Sequence, residues 1–406
     1  MKVLIVNDHV VFGGAEVQSL REKQILESKG VEVFYLYFDK ESKNTIPFKE
    51  KDGFFRIGIS YGLVRRIFCK LGILQRYFIK KTEIKNLLRR LDPDIIHINV
   101  LTKEPIGIYS LLSKYYTVQT LRDYSCVCPK LDCINDKGLC RGAFFSNCHR
   151  VCYNTLKGRL AIRLYKQVID YRKRCVDKFI TPSQKLMDFA VANGYKNVTC
   201  INNPIDTDLF QSCYVVKDEQ VFNNKRYLWS GVINMFRFSG LKMLVEVFDK
   251  FQVGKNVSLI IAGKIDETLS IEFKHLIEGK DYIQYLGGIS NEQMLRVVTS
   301  CYVVVNPSLI MDNYPNTVLE AMALGTLVIG SSMGGIPEML DNRRGFIFDN
   351  SSGDLYRYLE ESYNLPREKY LRITQCARDY TLNNNSVENY CSKLLSVFAE
   401  RSDEKF

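Results

Sequence analysis

The stretch NPSLIMDNYPNTVLEAMALGTLVIGSSMGGIPE, residues 306–338, decides how the rest of the chain is read. Just upstream, Tyr302–Val305 is a short apolar run of strand type, and an acidic loop separates it from an apolar helix that the spacing predicts over Thr317–Ala323. Residues 326–332, TLVIGSS, return to a strand pattern. Strand, loop and helix N-terminus in that order make a place for an anion. The first helical amides, around Asn316, Thr317 and Val318, point out of the helix, and its dipole favours negative charge. Asp312 and Glu320 stand eight positions apart. Glu320, read into the first turn, is an acceptor-only group able to take the two hydroxyls of a ribose. Spacing alone fits equally well with carboxylates that cap the helix or face water.

Working outward, the same alternation recurs. In the first half, Val3–Val6, a helix from about Ala15 to Lys29, Val31–Tyr37, DIIHINV (94–100) and YTVQTL (116–121) follow one another. In the second, RYLWSG (226–231), a helix near Leu241–Phe251, SLIIAGK (258–264), IQYLGG (283–288) and a helix near Glu292–Thr299 lead into the quoted stretch. Apolar strands alternating with amphipathic helices mean βαβ units and parallel sheets, with ligands at the carboxyl ends of the strands. A chain of 406 residues exceeds the ~250–300 at which a single core stops growing, so two domains are expected. Polar, irregular sequence around Asn202–Asn224 sets the boundary, giving domains 1–204 and 205–383.

The formal net charge of +11 asks for an anionic partner. Much of it lies in LVRRIFCKLGILQRYFIKKTEIKNLLRR, residues 63–90, with nine Lys or Arg against the single Glu83. Apolar residues recur between the charges at helical intervals, which reads as an element lying on an anionic membrane surface. Each cation near such a surface contributes ~1 kcal/mol. A solvated helix packed on its own domain is the alternative. RLAIRLYKQVIDYRKR, residues 159–174, adds a second basic face. Charge is the only feature that suggests nucleic acid, and no recognisable module accompanies it, so that partner is set aside. No run approaches 18 apolar residues, and Val3–Val6, cut off by Asn7 and Asp8, reads as a first strand and not a signal peptide. Thirteen cysteines are an odd count at low density, which points to a reducing cytosol. The expected location is cytoplasmic, at the inner face of the cell membrane.

Six of those cysteines fall in residues 126–152, with His149 among them. Cys133, Cys140, Cys148 and Cys152 would suit a structural zinc, although the spacing is not a clean paired C-x-x-C. Reduced thiols in a compact loop account for the cluster equally well, and either reading is structural. His97 ends a strand and reads as a packed or hydrogen-bonded core residue.

Taken together, D-x7-E, AMALG, VIGSSMGGIPEML and GFIFD resemble the paired-acid signature of retaining glycosyltransferases of family four. VLIVNDHVVFGGAE (3–16), FITPSQKLMDFA (179–190) and INNPIDTDLF (201–210) resemble further segments of that family. The resemblance implies an α/β GT-B fold: two Rossmann-like, doubly wound parallel-sheet domains facing across a cleft, with a final helix within 384–406 packing back on the first. It implies a hexosyl transfer from a nucleotide-sugar donor to a glycan or lipid-linked glycan, as in surface polysaccharide or capsule synthesis, without a metal in the chemistry. Glu320 and the amides of Asn316, Thr317 and Val318 would bind the nucleotide, and Asp312, a Glu in most of the family, would contact the sugar. Gly13 and Gly14 would let the backbone approach the donor. Three positions depart from the pattern. Arg122 stands where a His near the donor sugar is usual, and an always-charged guanidinium relays no proton but can bind an acceptor phosphate or carboxylate. In WSGVINMFRFSGLKML (229–244) Gly231 and Gly240 fit, while Val232 and Ser239 occupy the charged positions. Arg237, or else Lys242, would then meet the departing diphosphate. The rival readings are a catalytically silent GT-B partner subunit and a GT-B sugar epimerase.

Overall fold

The computed structural model describes residues 1–8, 14–39, 48–49, 53–58, 81–101, 108–130, 133–135, 138–140, 148–341 and 343–400. Gly13 and residues 63–80 of the basic stretch lie outside them. The chain divides into two compact units, Met1–Ile201 with the segment from Cys391 on, and Asn202–Tyr390.

Unit one is built on strands β1 (Lys2–Asn7), β2 (Glu32–Asp39), β3 (Phe48–Lys49), β4 (Phe54–Gly58), β5 (Ile95–Ile98) and β6 (Tyr116–Thr120). After them come β7 (Ile134–Asn135) and β8 (Gly138–Leu139), a separate small hairpin, then β9 (Lys178–Thr181) and β10 (Val198–Cys200). The main sheet runs β10-β9-β6-β5-β1-β2-β4-β3, parallel throughout except for β3 against β4. Val3–Val6 and Ile95–Ile96 are wholly buried because helices cover both faces of a parallel sheet, which is why such strands read as unbroken apolar runs. The helix Lys81–Leu91 turns Ile84, Leu87, Leu88 and Leu91 inward. Over this part of the basic stretch the apolar face is therefore spent on the unit's own core, and Lys81, Lys85, Arg89 and Arg90 stay exposed. The closing helix Val387–Ala399 reaches this unit through Tyr116, which donates to the Val397 carbonyl (3.4 Å), and through Phe398 edge-on to His97.

Unit two repeats the plan with β11 (Lys225–Ser230), β12 (Val257–Ala262), β13 (Ile283–Gly287), β14 (Val303–Asn306), β15 (Leu327–Ser331) and β16 (Phe346–Phe348). Its order is β13-β12-β11-β14-β15-β16, all parallel. Leu241, Leu244, Phe248 and Phe251 pack on one face, Val318, Met322, Ile336 and Met339 on the other. Both sheets are doubly wound: the chain builds outward from the first strand, then returns to its other side, so β1 lies between β2 and β5, and β11 between β12 and β14. That reversal opens a crevice at the carboxyl ends of the central strands. Two helices differ from expectation. Met235–Phe251 starts six residues before the expected Leu241, which puts Arg237 in its first turn. Asn316–Ala323 starts at Asn316 with Pro315 in the cap position, so Glu320 lies in the second turn, not the first.

Residues 202–224, read as a plain boundary, are part of this unit. The Lys217 ammonium is buried and donates to the carbonyls of Val298 (3.3 Å), Thr299 (2.5 Å) and Cys301 (3.0 Å) and to the Thr326 hydroxyl (2.8 Å). It thereby satisfies the end of the helix Asn291–Ser300, where a cation also meets the negative pole of the dipole. Burial pushes its pKa down to about 8. Lys217→Met leaves these buried acceptors without their donor and should destabilise the chain by about 1–3 kcal/mol in urea unfolding. The unfolded chain holds the Lys217 proton up to its ordinary pKa while the folded chain releases it near 8, so this group makes stability rise with pH over that window. The variant's stability should rise less there; an unchanged slope counts against the burial argument.

Candidate functional site

In unit two the crevice lies where β11 and β14 end. Trp229 and Ser230 from the first strand, Asn306 from the second with Pro307 and Ser308 just after it, and Arg237 and Asp312 line a small pocket there. Arg237 Nη2 stands 3.4 Å from Asp312 Oδ2, with the side chains 34% and 15% exposed. A partly solvated pair of this kind is worth ~1 kcal/mol or less, so it can be exchanged for another anion at little cost. Gly231, with φ +154°, gives the guanidinium its room, since a Cβ there would stand 2.9 Å from Arg237 Nη1. Across the pocket, the Asp312 carbonyl accepts from Gly335 N–H at 2.7 Å. Gly334 has φ +60°, and a Cβ on it would come within 1.9 Å of the same carbonyl oxygen. The Gly334–Gly335 pair therefore holds the backbone of Asp312.

The helix Asn316–Ala323 opens beside this pocket, and Asn306 Nδ2 donates to Thr317 Oγ1 at 3.4 Å. The Val318 and Leu319 amides both donate to the Pro315 carbonyl at 3.1 Å. Val318 is thus turned into the helix, which leaves the anion-facing part to Asn316 and Thr317. Glu320 is half-buried on the second turn. Lys242 stands on an exposed helix face within 4.0 Å of Glu246 and does not line the pocket. Of the two cations that the sequence offers, the structure brings only Arg237 to Asp312.

In unit one, Asn99, Gln119, Arg122, Asp123, Ser125 and Arg172 line a second polar pocket past the ends of β5 and β6. Arg122 is only 7% exposed and sits 3.6 Å from Glu22 Oε2. It also donates to Asn99 Oδ1 from Nε (3.0 Å) and Nη2 (2.6 Å). His97 lies beneath, with Nδ1 2.5 Å from Glu22 Oε1 and Nε2 2.8 Å from the Thr120 hydroxyl. His97 is wholly buried and is a hydrogen-bonded core residue. Asp123 accepts from Ser125 N–H at 2.9 Å and caps the short turn Tyr124–Cys126. Burial, with Asp8 nearby, raises its carboxyl above the usual range against that hydrogen bond. Gly14 opens the exposed start of the helix Gly14–Ser28 after β1.

Cys126, Cys128, Cys133 and Cys148 are buried, Cys140 and Cys152 half-buried. The neighbouring Cys128 thiol and burial push the Cys133 thiol up. Among the described residues no group of three or more His, Cys, Asp or Glu is placed to hold a metal ion. Two Asp-x-Asp spacings serve the fold instead: Asp94 accepts from Lys2 N–H at 2.8 Å, and Asp206 caps the helix Thr207–Ser212.

Residues 224–363 match the family described as Glycosyl transferases group 1. The fold is GT-B, and the residues that match this family lie in its second unit. An uncharacterised 42.6 kDa protein of the Klebsiella pneumoniae cps region is 24% identical over 367 residues, 84% of this chain and 87% of that protein. The lipopolysaccharide 1,2-N-acetylglucosaminetransferase of Salmonella typhimurium is 26% identical over 243 residues, 53% of this chain and 60% of that one. Among solved structures, Anabaena HepE in complex with UDP and glucose superposes with a TM-score of 0.68 at 14% identity, over 98% of this chain and 99% of that one. A Rickettsia africae glycosyltransferase gives 0.69 at 16%, over 99% of both.

In this GT-B chain the residues that hold Asp312 are less visible in the sequence than Asp312 itself. A Gly-Gly directly after a strand signals a close backbone approach but does not name what approaches. Gly334→Ala should destabilise unit two by about 1–3 kcal/mol, because a Cβ at positive φ would collide with backbone. Gly353→Ala, in a helix with nothing within 4 Å of the new methyl, should be neutral or slightly stabilising. Equal urea midpoints for the two variants would refute this reading of Gly334.

Proposed function

We propose that this glycosyltransferase moves a hexosyl unit from a nucleotide sugar to a glycan or lipid-linked glycan with retention of configuration, in surface polysaccharide synthesis such as capsule. The observation that carries the reading is the Arg237–Asp312 pair beside the N-terminus of Asn316–Ala323, at the reversal point of a doubly wound sheet. The names of the Klebsiella and Salmonella relatives and the UDP bound by HepE support it. Arg237 exchanges Asp312 for the diphosphate of the donor, and the helix terminus takes part of the same charge. Asp312, so released, accepts hydrogen bonds from the sugar, while Glu320 accepts from the ribose. The acceptor attacks from the face that the diphosphate leaves, and the departing phosphate takes its proton. Charge on the leaving group is met by Arg237 and backbone amides, so the chemistry runs without a divalent metal.

A hydrogen bond to a charged group is worth roughly 1.5–3 kcal/mol. Glu320→Gln should therefore weaken nucleoside diphosphate binding by about 10- to 100-fold, read by calorimetry with UDP, GDP and ADP. Asp312→Asn should bind the nucleoside diphosphate as well as the parent does, because Arg237 loses a competing anion, yet lose turnover of the full nucleotide sugar. Unchanged binding and transfer in both variants would remove the paired acids from the site.

The acceptor side is proposed to work at the cytoplasmic face of an anionic membrane. Among the described residues no helix is long and apolar enough to cross one. The helix Leu156–Cys175 exposes Leu156 (87%) and Leu160 (48%) among the exposed Lys157, Arg159, Arg163 and Lys166. Two apolar side chains inside a basic patch suit insertion beneath anionic headgroups. The full chain should sediment with phosphatidylglycerol vesicles and come off at high salt, and Leu156→Asp with Leu160→Asp should weaken binding at least about tenfold. Equal affinity for neutral phosphatidylcholine vesicles would rule the surface out.

A further inference from the structure

Tyr314 has φ +102°, a conformation that a bulky L-residue holds only where its surroundings over-determine it. It lies two residues after Asp312 and two before Asn316, and its ring is buried. Two asparagines hold it. Asn203 Nδ2 donates to the Tyr314 carbonyl at 3.2 Å and to Asn316 Oδ1 at 3.3 Å. Asn385 Nδ2 donates to the Tyr314 phenol oxygen at 3.1 Å. The two asparagines are also tied together, because Asn385 Nδ2 donates to the Asn203 carbonyl at 2.8 Å. Ile205 N–H donates to the Asn385 carbonyl at 2.8 Å, and Ile205 bridges to Ser386. Asn203 and Asn385 are nearly or wholly buried, and they sit just inside the two points, Ile201/Asn202 and Tyr390/Cys391, at which the chain passes between its units.

We infer that Asn203, Tyr314 and Asn385 are positioning residues for the donor site, holding the loop Asp312–Asn316 in the strained form that aims it at the ligand. Pro315 fixes its own φ, and its carbonyl takes the Val318 and Leu319 amides, so the helix begins wherever Tyr314 directs the backbone. On the other side the Asp312 carbonyl is pinned by Gly335. With both ends fixed, the loop turns on Asn313 and Tyr314, and of the two only Tyr314 is held at positive φ. Relaxed to an ordinary negative φ, it would turn Asp312 and the Asn316 and Thr317 amides away from each other. The buried amide side chains have donors and acceptors in fixed directions and cost much to leave unpaired, which suits them to hold such a state.

The inference rests on the donor reading above for its ligand, and on geometry alone for the clamp. The test uses the full chain with Asn203→Ala, Asn385→Ala, Tyr314→Phe and the Asn385→Ala/Tyr314→Phe double variant. Hydrogen exchange should rise about fivefold or more at Asn316–Leu319 in the asparagine variants, while β12 stays as protected as in the parent. The affinity for UDP, or whichever of UDP, GDP and ADP the parent binds, should fall by a similar factor. Tyr314→Phe and Asn385→Ala remove the same bond, so the double variant should be no worse than Asn385→Ala alone. Exchange unchanged at Asn316–Leu319, loosening spread evenly over the unit, or additive losses would each overturn the clamp. A parent chain that binds none of the three nucleotides counts against the donor reading only, and the exchange pattern then still decides the clamp.

Discussion

A parallel sheet that reverses its direction of winding cannot fill the space beyond its two central strands, and the polar chemistry of unit two depends on that gap. Helices cover both faces of the sheet, but no connection crosses the place where β11 and β14 end, because each departs to opposite sides. Backbone groups, a helix N-terminus and the side chains of two loops converge there without having to be buried against one another. The pocket is thus a consequence of topology. What the sequence adds is the choice of groups that point into it.

Those groups divide by solvation. Arg237 and Asp312 keep enough contact with water that their attraction is small, and a ligand carrying more negative charge can take the arginine. Arg122, Glu22 and His97 in unit one are the opposite case. Glu22 and His97 are buried, Arg122 is largely so, and they share hydrogen bonds with Asn99 and Thr120; removing one member of such a set strands the charge of another, typically at a cost of ~3–5 kcal/mol. The same residue type therefore serves two ends. An exchangeable arginine suits a leaving group whose charge appears only as a bond breaks, whereas a tightly paired one fixes the shape of the pocket wall.

The fold class was legible because parallel strands buried on both faces leave continuous apolar runs such as VLIV and YVVV, and because glycines and turn residues punctuate them. Asp312 and Arg237 were also legible as types of group, one from its spacing to Glu320, the other as a cation near an empty charged position. Their meeting was not, since it needs Gly231 to leave room and the Met235–Phe251 helix to begin six residues early. The early start was hidden by Phe238 and Gly240, neither a strong helix former, and Phe238 packs against the core. Glu320 falls in the second turn and not the first because the helix begins one residue earlier than Thr317, with Pro315 in the cap position. Tyr314 left no trace in the sequence at all: positive φ at a tyrosine is imposed entirely by partners over a hundred residues before it and some seventy after.

The segment after Ile201 shows why a polar stretch is not always a linker. Its composition, rich in Asn and Asp, fits a solvated connection, yet Asn203 and Lys217 are both buried in unit two. Each spends its hydrogen bonds on backbone that the parallel sheet leaves unpaired: the strained Tyr314 carbonyl in one case, the end of the helix Asn291–Ser300 in the other. An apolar residue could fill either volume but could satisfy neither set of carbonyls. Polarity in this segment is therefore a packing requirement of the second unit. It follows that a cut placed within residues 202–217, where composition alone suggests the domain ends, would remove part of what holds the Asp312–Asn316 loop in shape.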